Sequence, residues 1–258
     1  MSYADPNMQS SLYGLIGFPL SHSFSKDYFT EKFERMKLDN HQYELFPLEN
    51  IEQLPALIAA HPNLAGLNVT IPYKKLVMPF LDKIEQAATS IGAVNVIKIK
   101  DGQLIGFNSD AYGFELTLRG LIAKKEVLPT ELQALVLGTG GASLAIKYVL
   151  QKLGIPFQVV SRTKKPSQIT YEEIDAICMK KHRLVINCTP LGTYPNVTSF
   201  PLLPYDEVTE NHFFYDLVYN PAESVFLKNA KEKGASTING LAMLHLQAER
   251  SWEVWRAV

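Results

Sequence analysis

Ala134-Leu-Val-Leu137-Gly138-Thr139-Gly140-Gly141-Ala142-Ser143 is the stretch that decides the fold. A short apolar run of strand length enters a cluster of glycines, and a helical pattern over residues 144–153 follows it. Glycines at such a junction let the backbone approach a pyrophosphate, and the positive end of the next helix favours the anion. The third small position of the usual G-x-G-x-x-G pattern is Ser143, with Ala145 supplying a small residue further on. A second strand over 157–161 completes a βαβ unit of about 30 residues, half a dinucleotide-binding fold. Alone, the glycine cluster also fits a purely structural turn. The end of the second strand adds weight to the cofactor reading. An NAD-binding fold places an acid there for the ribose diol, whereas this chain carries Ser161-Arg162-Thr163-Lys164-Lys165. Hydroxyls and cations suit a 2′-phosphate that an acid would repel, so the expected cofactor is NADP. A solvated basic loop is the bland alternative.

Outward from this unit, short apolar runs alternate with amphipathic stretches, the pattern of α/β layers around a largely parallel sheet. Downstream, strands are expected at 184–187, 213–216 and 236–238, then a long helix from Leu241. Its residues Leu241, Leu244, Ala248, Trp252 and Trp255 make an apolar stripe too wide to leave in water. That helix is expected to pack across the domain junction or onto the first domain. Upstream, the pattern predicts strands at 13–17, 42–46 and 66–70. Helices are expected at 25–36, at 54–60 and, with a break at Pro79, at 74–91. A hairpin of 94–98 and 103–107 turns at Asp101-Gly102, and a connecting helix covers 112–123.

The bulk properties exclude several classes. With 258 residues, 47% hydrophobic and 20% charged, the chain can bury a sizeable core. A formal net charge of −1 provides no global attraction to nucleic acid or anionic lipid, so anionic ligands need locally placed cations. No apolar run is long enough to span a bilayer, and the polar, acidic start over 1–11 does not resemble a signal peptide. Cys178 and Cys188 have no metal-ligand spacing, and no metal site is expected. So few cysteines fit a reducing, cytoplasmic setting.

Polar residues in the first half fall where strand ends should converge. Ser21-His22-Ser23-Phe24-Ser25 lies between a strand and a helix start, with Ser25 the best N-cap candidate and His22 more structural than catalytic. Two hydroxyls beside a helix N-terminus could also hold a carboxylate. Asn68 and Thr70 alternate with apolar residues and so share a face. Lys74 stands at a helix start, where cations are mildly unfavourable, which argues for a use beyond solvation. Asn95, between apolar residues of a strand, needs buried partners. Asn108-Ser109-Asp110 reads locally as an ordinary loop cap.

Gly17-Phe-Pro-Leu-Ser-His22-Ser23-Phe-Ser25, Asn68-Val-Thr70-Ile-Pro-Tyr-Lys74, Gly92-Ala-Val-Asn95, Asn108-Ser-Asp110, Gly138-Thr-Gly140-Gly141-Ala142, Tyr215-Asp-Leu-Val-Tyr219-Asn-Pro221 and Gly240-Leu-Ala-Met243-Leu-His-Leu-Gln247 occur in that order. Taken together they resemble the shikimate dehydrogenase family over nearly the whole chain. The resemblance implies an N-terminal α/β substrate domain, 1–111 plus 240–258, and a Rossmann-type NADP domain, 112–239, with the last helix returning to the first. It implies NADPH-dependent reduction of 3-dehydroshikimate to shikimate, with Lys74 and Asp110 as the proton-handling pair. It assigns Ser23, Ser25 and Tyr219 to the substrate carboxylate. Asn68, Thr70, Lys74, Asn95, Asp110 and Gln247 then meet the ring hydroxyls and the reacting oxygen.

On the cofactor side the resemblance implies Gly138, Gly140, Gly141 and Ala142 for the phosphates, and Ser161, Arg162, Thr163 and Lys164 for the 2′-phosphate. Thr189, Leu217, Gly240 and Met243 line the nicotinamide and its ribose. Three positions depart from the family pattern: Lys26 for a proline, Leu144 for a frequent arginine and Ser161 for an asparagine. Alternatives on the same fold are a quinate/shikimate dehydrogenase of broader specificity and a catalytically silent NADP- or ligand-binding regulator. The chain is expected to work as a monomer or homodimer on small molecules, without nucleic acid or membrane.

Overall fold

The computed structural model describes residues 10–20 and 23–257; Ser21, His22, Val258 and the N-terminal stretch 1–9 lie outside the described residues. The chain packs as two compact units, Met1–Ser109 with Ala248–Val258, and Asp110–Gln247.

The first unit runs β1 (Ser11–Gly17), α1 (Phe24–Arg35), β2 (His41–Pro47), α2 (Leu54–Ala60), β3 (Leu64–Val69), α3 (Tyr73–Leu76), β4 (Lys83–Ile84), α4 (Gln86–Ile91), β5 (Val96–Lys100) and β6 (Gln103–Phe107). Its sheet has the order β2-β1-β3-β5-β6-β4. Strands β1, β2 and β3 run parallel, and β5 reverses against β3 and again against β6. This alternation has one consequence for the site. The C-terminal ends of β1, β2, β3 and β6 and the N-terminal end of β5 all lie along one edge of the sheet. The β5–β6 hairpin turns on Asp101 and Gly102, whose φ values of 51° and 75° are those of a primed two-residue turn.

Side chains alternate across this sheet and feed two cores. Leu12, Ile16, Leu67, Val69 and Ile97 pack on one side with Tyr73, Val77 and Val94. Tyr13, Leu15, Tyr43 and Val96 pack on the other with Phe29 and Phe33 of α1 and with Trp252 and Trp255. The two tryptophans belong to the last helix, α9 (Leu241–Arg256). Gly66 is the contact point: a Cβ there would overlap the Trp255 indole, while Trp255 Nε1 donates to the Ile97 carbonyl at 3.0 Å. Lys32 of α1, itself buried, pairs with Glu249 at 2.6 Å and ties α1 to the same helix.

The second unit runs α5 (Asp110–Ala123), β7 (Ala134–Leu137), α6 (Gly141–Lys152), β8 (Phe157–Val160), β9 (Gln168–Ile169), α7 (Ala176–Lys181), β10 (Leu184–Asn187), β11 (Phe213–Asp216), α8 (Val225–Glu232), β12 (Ser236–Ile238) and the start of α9 (Leu241–Arg256). Its sheet order is β12-β11-β10-β7-β8-β9, with every pairing parallel. Counted from β7, that is the 3-2-1-4-5-6 order of a doubly wound dinucleotide fold.

Several elements differ from the pattern in the sequence. Residues 74–91 are not one helix: after α3 the chain makes a 3-10 turn at Met78–Phe80, and β4 pairs with β6 before α4 begins. Pro79 and the sheet hydrogen bonds outcompete helix continuity there. Helix α5 starts at Asp110 and α6 at Gly141, each earlier than its apolar periodicity. Asn95 precedes β5 rather than lying within it. By packing, the units divide at 109/110 and 247/248, because the backbone of Met243 and Gln247 lies against Gly113 of α5, 2.6 Å and 3.3 Å from where a Cβ would sit. On α9, Leu241 is exposed, and polar Gln247 and Ser251 join Ala248, Trp252 and Trp255 on the buried face. Among the described residues no helix is long and apolar enough to cross a membrane.

Gly66→Ala forces the Trp255 indole off the sheet. We expect a loss on the order of 1–3 kcal/mol in chemical denaturation, the usual cost of overpacking a filled core.

Candidate active site

In the first unit the site is built on the shared sheet edge. Ser23, not Ser25, caps α1: its side chain accepts from the Ser25 amide at 3.2 Å, and its backbone is extended as a cap requires. Ser25 falls inside the first turn of α1. Thr70 follows β3, and its methyl packs against Gly17 so closely that no Cβ fits at that glycine.

Asn68 and Asn95 are both buried, and both find the partners that burial demands. Asn68 Oδ1 accepts from the Tyr43 hydroxyl at 2.8 Å, and Nδ2 donates to Ser251 Oγ at 2.9 Å. Asn95 Oδ1 accepts from the Ser109 amide at 2.7 Å, and its Nδ2 donates to Ser109 Oγ at 3.0 Å. Ser109 and Ser251 meet at 3.3 Å. Burial pushes the Tyr43 hydroxyl pKa up, so it stays protonated and can donate.

Lys74 is half-buried in α3, and its carbonyl accepts from the Val94 amide at 2.7 Å. Val94 and Asn95 therefore anchor two segments at once, Lys74 through its main chain and Ser109 through Asn95. Asp110, the next residue after Ser109, is buried at the first position of α5.

In the second unit the functional end is the carboxyl edge of the parallel sheet, at the point between β7 and β10 where strand order reverses. Gly138 holds φ +102°, a conformation that favours glycine, and a Cβ there would lie 3.0 Å from Thr189 Cγ2. Gly140 caps α6 without a side chain, and nothing lies within 4 Å of a Cβ built on Gly140 or Gly141. That cradle of open backbone amides fits a pyrophosphate. Ser143 is buried and turns its hydroxyl back to the Gly140 carbonyl at 2.7 Å, so it shapes the turn.

After β8 the basic loop divides its labour. The buried Ser161 hydroxyl donates to the Thr163 carbonyl and sets the loop's shape. Lys164 pairs with Glu173 at 2.5 Å, and that ammonium helps hold the Glu173 carboxyl below its usual range. Arg162, Thr163 and Lys165 are exposed.

Asp216 organises the loops beyond β10 and β11. It is fully buried at the end of β11, accepting from Asn187 Nδ2 at 2.9 Å, the Val218 amide at 3.0 Å and Ser224 Oγ at 2.5 Å. Asn187 in turn accepts from the Thr189 hydroxyl at 2.6 Å and its amide at 3.0 Å. Gly240 lies on the Leu217 carbonyl so closely that only glycine fits, and its amide donates to the Val218 carbonyl at 3.0 Å. Thr189, Leu217, Gly240 and buried Met243 thus belong to one end of this unit, with exposed Tyr219 on the same turn as Leu217. Tyr43, Ser251, Asn187 and Asp216 were not read as site residues. The signal for Asp216 was an acid ending the otherwise apolar strand Phe213-Phe-Tyr-Asp216. Among the described residues no group of His, Cys, Asp and Glu could hold a metal ion.

These features define a class: an α/β protein that pairs a Rossmann-type dinucleotide unit with a second unit carrying a polar sheet edge. Residues 15–97 match the family described as shikimate dehydrogenase substrate binding domain. The NADP(+) shikimate dehydrogenase of Carboxydothermus hydrogenoformans is 39% identical over 98% of this chain and 94% of its own. The crystal structure of shikimate dehydrogenase from Aquifex aeolicus superposes with a TM-score of 0.84 at 33% identity, covering 97% of this chain and 94% of that one. The Thermus thermophilus enzyme, solved with NADP(H) and shikimate, gives 0.81 at 30% identity, covering 96% and 94%. The chain belongs to the shikimate dehydrogenase family.

Burial pushes the Asp216 carboxyl up from 3.8 to about 6. A raised carboxyl pKa means that the folded state holds a proton the unfolded state has already lost. The associated stabilisation is present below pH 3.8 and disappears as pH rises through about 6. Asp216→Asn keeps an acceptor for Asn187 and Val218 and can donate to Ser224. We expect its stability relative to wild type to improve by up to about 3 kcal/mol between about pH 4 and pH 7 in urea unfolding.

Proposed function

We propose that this chain catalyses the reversible NADPH-dependent reduction of 3-dehydroshikimate to shikimate, a step toward chorismate and the aromatic amino acids. The observation that carries this reading is the polar sheet edge of the first unit: Asn68, Thr70 and Asn95 lie at or beside the ends of β3 and β5, and Ser23, Ser25 and Lys74 lie at the starts of the helices that follow β1 and β3. Full-length similarity to relatives with that activity supports it.

The first unit is the substrate-binding unit and the second the NADP unit. Ser23 and Ser25, on the first turn of α1, bind the substrate carboxylate together with Tyr219. Asn68, Thr70, Asn95 and Gln247 bind the ring hydroxyls. Gly138, Gly140, Gly141 and Ala142 hold the pyrophosphate against the start of α6, and Arg162 with Thr163 holds the 2′-phosphate. Lys164 joins them in binding that phosphate, and Ser161 shapes the loop. Thr189, Leu217, Gly240 and Met243 hold the nicotinamide end.

Bound NADPH supplies the hydride to the carbonyl carbon. The oxygen that gains negative charge needs a proton and a nearby cation. Lys74 provides both, and Asp110 is its partner in handling the proton. Val94 and Asn95 support this pairing from within the first unit, since they fix the Lys74 backbone and the residue preceding Asp110. The chain works in the cytoplasm, where its two free cysteines persist, as a monomer or homodimer.

The deciding assay follows NADPH absorbance with shikimate and NADP, with quinate and NAD as controls. Shikimate with NADP should be the preferred pair; preference for quinate, or binding without turnover, would refute the reading. Lys74→Ala should lower kcat on the order of 10²-fold or more with little change in KM for NADP. For Arg162→Ala, NADPH should weaken far more than NADH, and equal losses would remove the 2′-phosphate role.

A further inference from the structure

Two of the residues proposed to bind substrate, Asn68 and Asn95, are joined by a network of three that are not, Tyr43, Ser251 and Ser109. Tyr43 donates to Asn68, Asn68 donates to Ser251, and Ser251 meets Ser109, which is bonded to Asn95. Every link lies within the first unit, and Tyr43, Ser251 and Ser109 are all buried.

The chemistry of the partners fixes the direction of this chain. The Asn95 carbonyl, 3.4 Å from Asn68 Nδ2, can only accept, so the nitrogen of the Asn68 amide must face it and Ser251. The oxygen then faces Tyr43, which donates. Both N–H groups of Asn68 are thereby directed into the protein, and what it presents to a ligand is the second lone pair of Oδ1.

Ser251 is placed by the fold. One helical turn further along α9, Trp255 sits on Gly66. Four helical residues advance about 6 Å and two strand residues about 6.6–6.8 Å. The helix therefore keeps step with alternate residues of β3 and brings Ser251 over Asn68. A serine with no exposed surface inside a helix is costly without partners; alanine would fill the same place more cheaply if packing were the only demand.

We propose that Tyr43 and Ser251 are positioning residues for substrate recognition, holding the Asn68 amide in one orientation and coupling it to Asn95. This rests on the sheet edge being the substrate site.

The test is a pair of double-mutant cycles in the full chain, Ser251→Ala with Asn68→Ala and Tyr43→Phe with Asn68→Ala, read as initial rates of shikimate oxidation. Each positioning variant should raise KM for shikimate roughly tenfold, with KM for NADP within about twofold. In the Asn68→Ala background the same substitutions should add less than about twofold, because residues that act through a shared partner are not additive. Equal effects in both backgrounds would mean general loosening of the unit and overturn the proposal, as would unchanged KM values for both single variants. Tyr43→Phe preserves the core volume, so it decides the matter if Ser251→Ala does not fold. A wild-type chain that does not oxidise shikimate fails the functional reading, and the positioning role falls with it. A wild type that turns over while the cycles come out additive overturns the positioning role alone.

Discussion

A primary amide buried in the middle of a sheet must have its hydrogen bonds, and in the first unit much of the structure answers to that demand at Asn68. Leaving such a group unpaired costs more than any single packing contact returns. Its partners come from far apart in the sequence: Tyr43 on β2, the carbonyl of Asn95 before β5, and Ser251 on α9. The unit is therefore incomplete until the C-terminal end of the chain returns. The same helix supplies Trp252 and Trp255 to the core and Glu249 to the buried Lys32, so the polar and apolar reasons for its return coincide.

The second unit solves a similar problem with a carboxylate. Asp216 has no exposed surface, and its acceptors are spent on Asn187, Ser224 and the Val218 amide. Asn187 passes the constraint to Thr189, and the turn after β11 carries Leu217 and Tyr219. In both units a buried polar side chain near a strand end thus fixes loops whose residues are the proposed ligands. Such networks rigidify a site when fully satisfied. They also explain how a chain with a net charge of −1 can be built for anionic ligands: serine hydroxyls, helix amides and a few local cations replace a broad positive field.

Much of this was legible in the residues. The glycine cluster after a buried strand, the missing acid after the next one and the alternating apolar runs gave the nucleotide fold its signature. The hairpin at Asp101-Gly102 was marked by its turn residues, and Asn68 and Asn95 stood out as polar groups in apolar company, whereas Asp110 read locally as a loop cap. Local pattern failed where long-range pairing outweighed it. β4 interrupts a helical-looking stretch because β6 offers it hydrogen bonds, and Ser23 displaces Ser25 as the cap because the chain enters α1 in an extended path.

By itself, the sequence carried the α/β class and the family, and it named the residues proposed to bind and to move a proton. Those properties follow from composition and order along the chain. The tertiary structure decided which polar residues orient others and which are left to meet a ligand. Ser251 looked like an ordinary helix serine, and Tyr43 like one more aromatic in a strand. Their roles depend on the register between α9 and β3, which Trp255 and Gly66 set by close packing across a long separation in sequence. The ion pair between Lys164 and Glu173 likewise joins residues nine positions apart. A hydrogen bond or ion pair of this kind depends on distance in space, and separation along the chain does not report it.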